Sequence, residues 1–206
     1  QVAVIDAYEQ FDATITNLFD EEFGTARSTL SKLELKRSQA SDTLDSFTRE
    51  TAAADFEPVD GVSSGVFSSK TDQFAAEITG FEEVQDPLSR FSDGLETFVD
   101  GVDEYVGKNY RTAERDLLSS LNGFEISSTK FIGVEKPNSY GDEINGVKRA
   151  ANALKRGTDD LIESCQAGKN HNSGDRKSDL RGALGAFSGS GKVKKLPSYE
   201  ELSDER

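Results

Sequence analysis

A chain of 206 residues with a net charge of −14 and only 34% apolar residues can line a narrow core but cannot furnish the broad greasy faces of stacked sheets, which favours helices that each bury one stripe. The acidic surface excludes electrostatic binding to nucleic acid or to an anionic membrane as a function of the whole chain, and it suits basic partners or divalent cations. A single cysteine, Cys165, excludes an intrachain disulfide.

The first predicted element spans Val2 to about Ala54, with no proline and one glycine, Gly24. Phe19, Phe23, Ala26, Leu30 and Leu33 step by three and four, and Ala40, Leu44, Phe47, Thr51 and Ala54 resume the rhythm, which is a helix period. Unbroken, such a helix would be on the order of 75 Å long, so either the molecule is elongated or the helix bends near Gly24. Glu57-Pro58 and the cluster from Asp60 to Gly65 predict a turn. From Val66 the period returns through Phe67, Phe74, Ile78 and Phe81 to about Gln85. Asp86-Pro87 then reads as an N-cap followed by proline at the first helical position, with a single helix kinked at Pro87 as the alternative. The segment after Pro87 has the cleanest seam, namely Leu88, Phe91, Leu95, Phe98, Val102 and Tyr105. Gly94, Gly101 and Gly107 lie off that stripe and weaken a helix, so they hint at a close neighbour. Tyr110, Ala113, Leu117 and Leu121 continue to Asn122-Gly123, a predicted stop.

Phe124, Ile126, Ile132 and Val134 share one parity and predict an extended strap, and Pro137, Asn138 and Gly141 mark a loop. A last helix follows Asp142, with the seam Ile144, Val147, Ala151, Leu154, Thr158, Leu161 and Cys165, and ends at Ala167-Gly168. The expected fold is therefore all-α: an elongated antiparallel bundle of three to four long helices, one of about 50 residues, over 1–167. Residues 168–206 read as a glycine-rich polar tail, mostly irregular and extended, that orders on a partner. Its thinly spread apolar residues Leu180, Leu184, Phe187, Val193, Leu196 and Tyr199 are the candidate partner contacts.

Little in the chain carries chemistry. His171, the one histidine, sits in the polar run Lys169–Gly174 with nothing fixed to orient it, and one histidine with one cysteine supplies neither a zinc set nor a helical di-iron site. Cys165 falls on a helix seam as a small buried residue, and no Walker or dinucleotide glycine motif is present. These features predict a non-catalytic scaffold or linker subunit of a larger assembly with other protein subunits as partners. The chain has no transmembrane run, and it could serve as an accessory subunit on the aqueous side of a membrane complex. The alternative is a helical binding module enclosing a lipid, pigment or other apolar ligand against the thirteen phenylalanines; otherwise no cofactor or metal is expected, and an enzyme is a distant third reading. The absence of methionine even at position 1 predicts removal of a targeting peptide, with export or an organelle as the destination.

Overall fold

The computed structural model describes residues 2–53, 64–133 and 141–206. Most of the expected turn at Glu57–Gly65 and most of the expected loop around Pro137 lie outside these residues, and Ser64 and Gly65 begin a helix. Among the described residues the chain is all-α, with seven helices rather than three or four: α1 (Val2–Phe19), α2 (Phe23–Ala53), α3 (Ser64–Val106), α4 (Tyr110–Gly133), α5 (Gly141–Lys169), α6 (Ser173–Phe187) and α7 (Pro197–Asp204), with a 3₁₀ turn at Val193–Lys195.

The expected 50-residue helix is a hairpin. It breaks at Glu21, where φ is 60°, three residues before Gly24. The Glu22 amide donates to the Asn17 carbonyl at 2.8 Å and the Glu21 amide to the Leu18 carbonyl at 3.3 Å, the paired bonds that close a helix when one residue turns left-handed. The same corner recurs twice. Lys108 (φ 64°) separates α3 from α4, and His171 (φ 56°) separates α5 from α6, with matching bonds from Asn109 to Glu104 at 2.8 Å and from Asn172 to Ala167 at 2.9 Å. His171 is thus an exposed corner residue of a defined turn. None of the three left-handed positions is glycine, so the composition did not announce them.

Helix α3 is the axis of the molecule. Pro87 lies within it, and the expected break there does not occur; the lost backbone bond is offset by burial of Val84, Leu88 and Phe91 on either side. The first part of α3 packs with the α1–α2 hairpin. α1 runs parallel to it, with Tyr8 against Phe81 at 4.9 Å and Phe19 against Phe91 at 5.8 Å. α2 runs antiparallel, with Arg27 paired to Glu96 and Arg37 to Glu82 at 3.4 Å. The second part of α3 belongs to a four-helix unit with α4, α5 and α6. There its seam, Leu88 through Tyr105, is at most 1% exposed throughout.

Two other expectations are corrected. The strap at Phe124–Val134 is helix α4 up to Gly133, with Phe124 and Phe131 buried. Asn122-Gly123 does not stop the helix, because Gly123 is where α3 and α4 approach most closely: a methyl on it would meet the Gly94 Cα at 2.8 Å. The tail is also folded. Leu180, Leu184, Phe187, Val193 and Leu196 are all within 1% of full burial in the same core as α1 and α3, and Tyr199 packs against that core half-buried. The glycines that suggested disorder partly serve this docking. Phe187 lies flat on Gly157 of α5, which leaves no room for a side chain there, and the Lys192 stem lies on Gly146.

Candidate functional site

The six tail residues expected to meet a partner instead meet the chain itself, so their apolar faces are covered by its own helices. α7 is held at its N-terminus by the first corner, where the Ser198 amide donates to Glu21 Oε1 at 2.9 Å. A carboxylate suits that position, since it satisfies a free amide and faces the positive end of the helix. Lys192 adds a contact with the Phe19 ring at 5.2 Å, within cation–π range.

The residues with intrinsic chemistry do not converge. Cys165 is buried on α5, where desolvation and then the Glu114 carboxylate push its thiol up to about 12, so the thiolate that nucleophilic or redox work needs is suppressed. Tyr105 donates to Ser164 Oγ at 2.7 Å and accepts from Arg176 Nη1 at 3.2 Å, while Ser164 passes its own proton to the Arg176 carbonyl at 2.8 Å. Burial pushes the Tyr105 hydroxyl up. With its protons committed, this network ties α3 to α5 and α6. Among the described residues no cluster of three or more His, Cys, Asp or Glu has the geometry to hold a metal ion, and no helix is long and apolar enough to cross a membrane. The phenylalanines pack on one another, as in the edge-on pairs Phe98–Phe124 at 6.0 Å and Phe98–Phe187 at 5.5 Å.

A cleft of about 460 Å³ lies where α2 runs along α3, walled by Arg27, Ser31, Glu34, Gln85, Asp86 and Ser92 among others. Gln85 Nε2, Ser92 Oγ and, at the same interface, Arg37 Nε are buried without a hydrogen-bond partner. This is the least satisfied contact between helices described, and each such atom costs about 1–3 kcal/mol. Its walls carry Arg27 against Glu34, Asp86 and Asp93, so the cleft is net acidic.

The asymmetry of the surface lies elsewhere. Residues 144–158 and 180–199 contain eight lysines and arginines and not one aspartate or glutamate, whereas residues 1–140 hold twelve basic against twenty-seven acidic residues. The structure packs these two segments together through Gly157–Phe187 and Gly146–Lys192, with the Asp160 carboxylate of α5 lying on Gly182 at one end of the junction. Ile144, Val147, Ala151, Leu154 and Thr158 face the core, which turns Arg149 and Arg156, seven residues apart, to the outermost side of α5. Both are exposed, as are Lys194 and Lys195 beside them. Lys155 Nζ binds Glu125 Oε1 of α4 at 2.9 Å; Arg149, Arg156, Lys194 and Lys195 have no carboxylate partner among the described residues. Sequence reading missed this face because it weighed net charge over the whole chain. A window count of acidic residues would have found it.

No family model matches the sequence, and neither a curated protein nor a solved structure matches it significantly.

Proposed function

We propose that the protein is a non-catalytic helical scaffold that joins protein partners through charged helix faces, and that the basic face carried by Arg149 and Arg156 of α5 and Lys194 and Lys195 of the 3₁₀ turn is where an acidic partner docks. The carrying observation is that face itself: four exposed cations with no carboxylate partner among the described residues, on a chain of net charge −14. Charged faces of this kind steer encounter and set register more than they supply raw affinity. A rigid four-helix support keeps the guanidinium groups of Arg149 and Arg156 on one line, and arginine is the residue suited to paired hydrogen bonds with carboxylates.

The reading is tested by fluorescence anisotropy with a labelled polyglutamate peptide. Binding that weakens with salt and falls about tenfold in Arg149→Glu/Arg156→Glu supports it. Equal binding by wild type and variant, or none by either, would remove the face from the account.

A further inference from the structure

We infer that the cleft between α2 and α3, which owes nothing to the α5 face, binds a small protonated amine that also carries hydroxyl groups, the chemistry of an amino sugar. Two facing polar stripes make the cleft. On α3, Gln85, Ser89 and Ser92 repeat at helical spacing, and on α2 so do Arg27, Ser31 and Glu34. Serine stands here where the other seams of the molecule place leucine or phenylalanine, so the two helices leave space between them. Ion pairs frame that space: Arg27 meets Asp93 and Glu96 at one end, and Arg37 meets Glu82 at the other. The two arginines stand about 15 Å apart along α2. A cleft of about 460 Å³ holds far more than a single water, whose share of liquid volume is about 30 Å³, and it falls within the range of small-molecule sites.

The floor of the cleft supplies hydrogen-bond donors. Ser92 is 3% exposed, and its hydroxyl has no partner among the described residues. The buried serines of α4 behave differently: Ser120, Ser127 and Ser128 each donate to a carbonyl one turn back. Ser92 forgoes that bond and lines the cleft instead, beside Gln85, whose Nε2 is buried without an acceptor. Such donors call for an oxygen on the ligand. A carboxylate ligand is disfavoured, because Glu34, Asp86 and Asp93 surround the floor. Lys130 and Arg90 already meet Asp86, and Arg27 meets Asp93, whereas Glu34 has no cation partner among the described residues. One ammonium group is therefore accommodated at Glu34, in a charge-assisted hydrogen bond. Leu30 adds an apolar wall for ring carbons. A bare polyamine would satisfy Glu34 and leave the floor unpaired; a neutral sugar would do the reverse. An amine and hydroxyls on one small frame satisfy both.

Amide NMR of the full chain, titrated with glucosamine at a pH where its amine is protonated, tests the inference. The expected result is a saturable shift of the Gln85 side-chain amide and of backbone amides along the cleft, with a Kd on the order of 1 mM for so small a ligand. Glucose, which lacks the amine, and spermidine, which lacks the oxygens, should each bind about tenfold more weakly. Ser92→Ala and Gln85→Leu should each weaken glucosamine binding about tenfold, yet leave the Tm of the free protein unchanged or higher, because each removes an unpaired buried polar group. Glu34→Gln should abolish the preference for glucosamine over glucose. No saturable shift, or shifts confined to other helices, overturns the inference and leaves the cleft to water. Equal binding by spermidine or by glucose overturns it too. A fall in Tm for Ser92→Ala would do the same, since it would mean that the hydroxyl is already bonded within the protein.

Discussion

Lys108 holds a backbone conformation that L side chains enter at a cost of about 1–2 kcal/mol, and its side chain is exposed with no bond to compensate. Lys108→Gly relieves that strain and gives back part of it as unfolded-state entropy. A net gain of about 1 kcal/mol is expected, read as a rise in Tm of roughly 2–4 °C by calorimetry. Glu21→Gly should gain less or lose stability, because that side chain also caps α7 through the Ser198 amide. Cys165 offers a second check at the same scale. With the thiol pushed up to about 12, on the order of one thiol in ten thousand is ionised at pH 8. A disulfide reagent should leave the native protein unmodified and titrate one thiol once guanidinium unfolds it.

Glycines decide how the helices meet, and they divide into those with a neighbour and those without. The Phe187 ring occupies the space of any side chain at Gly157, while nothing lies within 4 Å of one at Gly185 on the exposed side of α6. Gly157→Val should therefore cost about 1–3 kcal/mol by overpacking, and Gly185→Ala should stabilise by about 0.5–1 kcal/mol through helix propensity. Urea midpoints measure both, and equal effects at the two sites would contradict the packing described. This contrast also marks what periodicity can and cannot reveal. The seams of α3 and α5 were legible because three-four spacing of large apolar residues has one dominant explanation. Gly123 read as a stop, because the partner that gives it its purpose lies on another helix, whereas Gly94 weakened its helix and hinted at a close neighbour, which is Gly123. The corner at Lys108 was illegible, and that at Glu21 legible only as a possible bend near Gly24, for the converse reason: tertiary packing of hairpins imposed a left-handed turn on residues whose identity does not favour it. The tail had Leu180, Leu184 and Phe187 at helical spacing, but four glycines between 182 and 191 lowered local propensity, and burial against α5 overrode it. Of the candidate site, Arg149 and Arg156 were visible as letters, but the basic face needed the pairing of α5 with the 3₁₀ turn.

For the whole molecule, two sets of carboxyls pull stability in opposite directions with pH. Asp100, Asp160 and Glu201 lie above their ordinary values of 3.8, 3.8 and 4.5, mainly through burial and then through neighbouring carboxylates. A folded-state pKa above the unfolded one gives a contribution complete below the unfolded value and lost as pH rises through the folded value. Asp86 and Glu114 lie below their ordinary values through hydrogen bonds from Lys130 and Lys169, so their contribution is present above the unfolded value and lost as pH falls through the folded one. The net charge of −14 adds self-repulsion that eases on acidification. Tm should accordingly rise as pH falls from 8 to about 5 and decline below about 4; a steady climb from pH 5 to 8 would mean that the pairs at Asp86 and Glu114 outweigh the crowded carboxyls.

The bond between Glu21 and Ser198 spans 177 positions of sequence. During synthesis the first corner emerges early, but its amide partner follows 177 positions later, and until then α3 lacks the cover of α7. Maturation of this fold therefore waits until α7 has emerged: a nascent chain stalled before residue 197 should be more open to protease near the α1–α2 corner than one extended past it.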